Sequence, residues 1–582
     1  MSSPAARERE ARVGLGPEGR ATYRWRLTNA RHGDPVRLVL PPNQVLPVIF
    51  VPGIMGSNLM DLEGNPVWRL DTTFGVPLGL ARRMAFNGPA SRQRLMHPSR
   101  TRVDLRGGVP RSPTGSVERR EQYREQRFWG EIAEGSYHDF LLWLEQRLNS
   151  GEYNPAKWQD FFYPVMSAAP APGEPPKEPR LVEGVPMRMR GFDPSAFVER
   201  TANGHPHASE SVTTDDLLKR ARFRMPVYAC GYNWLACNTD AAERLRARIE
   251  HVVAENNRNG SRCEQVVLVT HSMGGLVARC CARLPGMSER IAGVVHGVMP
   301  AVGAAVAYRR CKVGMRDESF VAGLVIGSNG REVTAVFAQA PGALQLLPTA
   351  GYRPGWLRIQ AADGGSRDES QPLEDPYEDI YLRRDRWWGL VREEWLSPRG
   401  GRPISWDAFA MNVRIARGFH QQISGEYHPM TYVYYGADEE QPSFETVRWE
   451  IRPGLRPDSG TPPAASGIHR MGFDQVRDDG TNPLRVGGRL EVLPGYGHIA
   501  GPTIYQSSYW DLVALGQDGG GDGTVPTSSG EAPLRQAKDP GRIRQQFRMA
   551  GFEHEPSFRD PQVQLATLFS LQKIAAQANI SP

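Results

Sequence analysis

The sequence predicts an α/β protein with a mostly parallel central sheet. Three observations carry this. An apolar run at 48–51 stops at Pro52-Gly53, so a buried strand ends in a tight turn. Apolar runs at 227–230, 265–269 and 291–295 alternate with helical periodicity. Between the last two of these runs, a turn carries Ser272. Strand, helix, strand, helix, strand at this spacing calls for crossover helices on a parallel sheet.

In the first helix of this unit Leu245, Ile249, Val252 and Val253 share one face. Asp240 and Glu243 have capping-box spacing at its start. The second helix carries Leu276, Val277, Ala278, Cys280 and Cys281 and stops before Pro285. The run MTYVYYG, ending at Gly436, reads as a further strand, and a closing helix holds Val563, Leu565, Leu568, Phe569, Leu571 and Ile574.

A chain of 582 residues exceeds what one simple core needs, so insertions or a second domain are expected. Residues 1–21 are polar and read as disordered. Alternation over 22–40 suggests a hairpin. The rest divides into core segments at about 45–60, 223–300, 428–440 and 511–582. Cap insertions occupy 61–222, 301–427 and 441–510. Within the first of them the Pro-rich stretch 169–179 is a loop or linker.

A net charge of +6 over this length is a mild bias. It suits an anionic membrane surface and is too weak to argue for nucleic acid. Cys230, Cys237, Cys263, Cys280, Cys281 and Cys311 form no CxxC pair, which argues against a zinc site and for reduced, buried thiols. The start MSSPAARERE has no apolar segment of a secretory leader, and no stretch of about 20 apolar residues could span a bilayer. The chain is therefore expected to be made in the cytoplasm.

Thr270-His271-Ser272-Met273-Gly274 lies between the apolar run VVLV and an apolar helix. A sharp strand-to-helix turn presents a nucleophilic Ser in α/β-hydrolases, with small residues two before and two after it. Gly274 fits and Thr270 departs from the pattern. A Ser hydroxyl needs a base to take its proton, and this fold orders its residues Ser, acid, His. His554, in a loop before the last helix, is the candidate base. Asp522, in Gly521-Asp522-Gly523-Thr524-Val525-Pro526, is the candidate acid, with Asp518 and Asp438 as competitors. The oxyanion donors are expected to be the backbone amides of Met273, at the helix N-terminus, and Ile54, in the turn flanked by Gly53 and Gly56.

Five segments, PVIFVPGIMGSNL, THSMGG, TYVYYGADEEQPSF, GDGTVP and GFEH, occur in this order. Together they resemble the lecithin:cholesterol acyltransferase and lysosomal phospholipase A2 group of α/β-hydrolases, and the PGAP1-like bacterial lipases. APGALQLLP, 340–348, is similar to that group's segment before the second half of the lid. The resemblance implies Ser272, Asp522 and His554 as a triad, Ile54 and Met273 as oxyanion donors, and hydrolysis or transfer of a glycerophospholipid acyl chain. It implies no metal and no organic cofactor. The group's disulfide-closed lid loop has no counterpart, because no Cys precedes Cys230.

Trp387, Trp388 and Trp395, among Arg residues, suit an interfacial lid or an ordinary packed segment with a charged face. A lipase made without a leader is similar to effectors of the type VI secretion apparatus. That likeness implies a secretion-apparatus contact, delivery to the periplasm of a target cell and a dedicated immunity protein. A carboxylesterase, an acyltransferase and an inactive hydrolase fold used for binding are the other readings.

Overall fold

In a computed structural model of the protein, side chains are described for residues 42–69, 88–109, 121–149, 162, 185–199, 209–258, 260–316, 327–360, 368–455, 463–488 and 508–579. The backbone alone is described for 9–12, 14–15, 21–22, 36–39, 163–164, 490–493 and 503–506.

Six strands form the central sheet: β1 Val48–Val51, β2 Val227–Ala229, β3 Val266–His271, β4 Ile291–Gly297, β5 Thr431–Gly436 and β6 Ile543–Met549. Their order is β2-β1-β3-β4-β5-β6, and every neighbouring pair is parallel. Both faces are covered, which is why the inner strands are nearly continuous apolar runs rather than alternating ones. Val48, Phe50, Val267 and Val269 pack on one face with α1, Glu134–Asn149, and the closing helix, Pro561–Gln577. Ile49, Val51, Val266 and Leu268 pack on the other with α2, Asn238–Arg258, and α3, Gly274–Ala282. This is the α/β-hydrolase architecture that the sequence predicts.

The differences are informative. β6 is absent from the sequence reading. It is an end strand with the sequence IRQQFRM and exposed Arg544 and Arg548, so its apolar signal is diluted. α2 begins at Asn238, which places Asp240 inside its first turn rather than at a capping box. Val36–Val39 pairs in parallel with Arg9–Arg12, a contact that neither a disordered 1–21 nor a 22–40 hairpin contains. The linker 169–179 lies outside the described residues.

The insertions also divide differently. α1, inside 61–222, is a layer of the core: Phe140, Leu141 and Leu144 pack with Phe50 and Phe558. Pieces of the other two insertions pair with each other. Leu357–Gln360 lies parallel to Val447–Pro453, which is antiparallel to Trp510–Ala514 in a second six-stranded sheet. Trp510–Ala514 thus belongs largely to the cap rather than to a core segment starting at 511.

The three lid tryptophans are inside this cap. Trp387 and Trp388 are 0 % and 2 % exposed, and Trp395 6 %. The Trp387 indole donates to the Ile468 carbonyl at 2.9 Å and stands edge-on to Trp449, while the Trp388 indole donates to the His469 carbonyl at 2.8 Å. The interfacial reading is therefore corrected. These rings are structural, and of the Arg residues around them Arg384 is exposed while Arg392 is mostly buried. All six cysteines are free, and no described helix is long and apolar enough to cross a membrane.

Buried histidines make stability depend on pH. Burial lowers His138 and His420 to about 4, and His271 and His296 to about 3. An unfolded His titrates near ~6.5. Below that pH the unfolded chain takes up protons that the folded chain refuses. Stability is therefore full above ~6.5 and falls towards pH 4, at up to about 1.4 kcal/mol per pH unit for each such His. Urea midpoints at pH 7.5, 6 and 5 should fall steadily. A midpoint unchanged down to pH 5 would contradict the burial of these rings.

Candidate active site

Ser272 ends the β3-to-α3 turn with φ of +52°, in the left-handed region that a non-glycine residue occupies only when its surroundings enforce it. Its amide donates to the Gly297 carbonyl at 2.9 Å and its carbonyl accepts from the Gly275 amide at 2.9 Å. Gly274 is required by contact: a Cβ there would lie 2.4 Å from the Val51 carbonyl oxygen and 2.5 Å from that of Pro52. Thr270 is tolerated in place of the usual small residue because its hydroxyl is buried against His296 Nδ1, at 3.0 Å.

The turn after β1 also packs closely against Ser272. Gly56 N donates to the Gly53 carbonyl at 3.1 Å, and Met55 has φ of +63°. A Cβ at Gly53 would lie 2.9 Å from His271 Nδ1 and 3.0 Å from Ser272 Cβ. Among the described residues neither the Ile54 nor the Met273 amide donates a hydrogen bond, so both are available to a ligand.

Ser272 Oγ and His554 Nε2 are 2.9 Å apart, and His554 Nδ1 and Asp522 Oδ2 are 2.8 Å apart. The other Asp522 oxygen accepts from the Thr524 and Val525 amides at 3.1 and 2.7 Å, and the Asp522 carbonyl accepts from the His554 amide at 2.8 Å. Asp522 is 1 % exposed. A hydroxyl, an imidazole and a buried carboxylate joined in this order can activate the hydroxyl as a nucleophile. The competing carboxylates face elsewhere. Asp518 accepts from the Glu445 and Thr446 amides, both at 3.0 Å, and Asp438 from the Gly551 amide at 2.8 Å.

A cleft of about 780 Å³ opens beside the histidine. Its lining mixes apolar residues, Ile54, Met55, Trp68, Pro442 and Pro556, with polar ones, among them Gln441, Glu553, Glu555 and Arg559. Ser272 is 5 % exposed and does not line this cleft, whereas His554 and Ile54 do. No group of His, Cys, Asp and Glu able to hold a metal ion occurs among the described residues.

Sequence reasoning missed Tyr137. It lies within a stretch read as an insertion, yet its hydroxyl is 3.3 Å from the Gly53 amide and 3.1 Å from His271 Nδ1. No local pattern marks such a residue, because its neighbours are 84 and 134 positions away.

No protein-family model matches the chain, and no curated protein matches it in sequence. Among solved structures, phospholipase PlaB from Legionella pneumophila aligns over 40 % of this chain and 65 % of its own, at 12 % identity and a TM-score of 0.15, too low to carry an argument. A chain in the crystal structure of the Tle4–Tli4 complex is 29 % identical, with a TM-score of 0.67. The match covers 92 % of this chain and 99 % of that one, so the two share their α/β-hydrolase fold over nearly their whole length.

Proposed function

We propose that the chain is a serine hydrolase that cleaves acyl esters of glycerophospholipids. The observation that carries this is the hydrogen-bonded line from Asp522 through His554 to Ser272, beside two unused amides. Ser272 Oγ attacks the ester carbonyl carbon as His554 Nε2 takes its proton. The carbonyl oxygen, now an anion, is held by the Ile54 and Met273 amides. The C–O bond to the alcohol breaks as His554 returns the proton to the leaving oxygen. Water, deprotonated by His554, then releases the fatty acid and restores Ser272. Asp522 keeps the Nδ1–H tautomer in place and stabilises the imidazolium.

The lipid substrate class rests on the resemblance of the motifs to lipases and on a cleft lined by both apolar and polar side chains. Delivery as a type VI effector, to the periplasm of a target cell, rests on the same resemblance. The similar chain was solved in a complex of two proteins, which supports an immunity protein as partner.

Fatty-acid release from phosphatidylethanolamine and phosphatidylglycerol vesicles tests the reading, with and without prior treatment by a serine-reactive phosphonate. Release should stop on treatment, and peptide mass spectrometry should find the adduct on Ser272. Turnover of a soluble short-chain ester without release from vesicles would keep the hydrolase and discard the phospholipid. No turnover and no adduct would leave an inactive hydrolase fold that serves as a binding protein.

A further inference from the structure

We propose that Tyr137 and His271 are positioning residues, which join the turn 53–56 to the carbonyl of His554 through one unbroken line of hydrogen bonds. This rests on the reading of Ser272, Asp522 and His554 as a triad.

The direction of each bond follows from its two ends. The Gly53 amide can only donate, and it meets the Tyr137 hydroxyl oxygen at 3.3 Å. The His554 carbonyl can only accept, and it lies 2.9 Å from His271 Nε2. His271 must therefore carry its proton on Nε2. In a neutral imidazole Nδ1 is then an acceptor. Nδ1 lies 3.1 Å from the Tyr137 oxygen, whose lone pair is engaged by Gly53 and whose proton is free to point at it. The line thus runs from Gly53 N–H to Tyr137 O–H to His271 Nδ1, and from His271 Nε2–H to the His554 carbonyl, with every donor matched to an acceptor.

The surroundings hold it in this state. His271 is buried, with its pKa lowered to about 3 by desolvation and then by the neighbouring His554, so it stays neutral at ordinary pH. Burial raises the Tyr137 phenol, which keeps its proton. The phenol is wedged within the turn: a Cβ at Gly56 would lie 2.7 Å from its oxygen, and one at Gly53 2.9 Å from His271 Nδ1. The Tyr137 and His271 rings stand edge to face at 5.5 Å, and His271 is 5.2 Å from the His554 ring.

One end of the line is thus the residue before Ile54, whose amide is an oxyanion donor. The other is the backbone of the base. The two halves of the site come from opposite ends of the chain and share no covalent frame near Ser272. A line of oriented hydrogen bonds gives them one. It acts on the transition state, where the oxyanion donors and the base must be in register together.

The test uses the full chain, a soluble short-chain ester and the variants Tyr137→Phe, His271→Ala and both together. Tyr137→Phe removes a single oxygen and should lower kcat about tenfold, the value of one hydrogen bond, with KM and the thermal midpoint little changed. His271→Ala should cost more, and His271→Gln, which restores a donor near the Nε2 position, should recover part of it. The double variant should be no slower than His271→Ala, because the line is already broken. Losses that multiply, or a Tyr137→Phe enzyme with unaltered kcat, would overturn the proposal while leaving the triad intact. Histidine-selective ¹⁵N NMR of the unaltered protein gives an independent reading. His271 should appear as the neutral Nε2–H tautomer, and an Nδ1–H or protonated ring would overturn the proposal even if the alanine variant failed to fold. Absence of ester turnover by the unaltered protein would remove the hydrolase reading itself, and this proposal with it.

Discussion

Ser272→Ala is expected to lower kcat for a soluble ester by about 10⁶-fold, the scale seen when a triad nucleophile is deleted. The geometry allows no substitute. His554 Nε2 faces Ser272 Oγ at 2.9 Å, and its other nitrogen is occupied by Asp522. Without the hydroxyl there is no covalent path, and only the two amides and the cleft remain. The fold should survive. The amide and carbonyl of residue 272 hold Gly297 and Gly275 through backbone atoms, which alanine keeps. Alanine also pays the same cost for φ of +52° as serine does. Steady-state kinetics with a circular dichroism melt checks both halves. Residual activity above about 10⁻³ of the unaltered enzyme would place the nucleophile elsewhere, since background catalysis by such sites is far smaller.

Asp522→Asn is expected to cost about 10⁴-fold in kcat, with KM and stability nearly unchanged. The two carboxylate oxygens have separate tasks. One accepts the Thr524 and Val525 amides and pins the loop, and the other accepts His554 Nδ1–H. An asparagine can keep its oxygen on the two amides, so the loop is retained. Its NH₂ then faces His554 Nδ1 and donates to it. That forces the proton onto Nε2, where it points at Ser272 Oγ and no base remains. Asp518→Asn is the comparison. Asp518 holds the Glu445 and Thr446 amides away from the histidine, so its loss should affect stability more than kcat. A larger loss of kcat from Asp518→Asn than from Asp522→Asn would exchange their roles.

Much of this was legible without coordinates, for a local reason. Ser272 is marked by an apolar run before it, Gly274 and Gly275 after it and a helical pattern beyond. Each of these reports the conformation of the residues next to it. His554 and Asp522 were singled out as candidates by chain order and by flanking glycines, and the structure brings them within 2.9 Å and 2.8 Å of their neighbours in the line. The Trp residues at 387, 388 and 395 show the opposite case. Indole rings among arginines read equally as a membrane edge or a packed interior, because composition does not say which face a segment turns inward. Contact with Trp449, Ile468 and His469 decided for the interior.

By itself, then, the sequence determined the fold class, the buried strands β1 to β5, three of the helices that cover them, and the candidate side chains Ser272, Asp522 and His554. These properties follow from hydrophobic periodicity and turn chemistry, which act over a few neighbouring residues. The tertiary structure alone decided the end strand β6, the pairing of two separate insertions into one cap sheet, the α1 layer, and the placing of Tyr137 between Gly53 and His271. Each of these depends on residues far apart in the chain. A polar end strand, a strand paired across an insertion and a tyrosine hydroxyl all gain their meaning only from the partner they meet, and no local pattern names that partner.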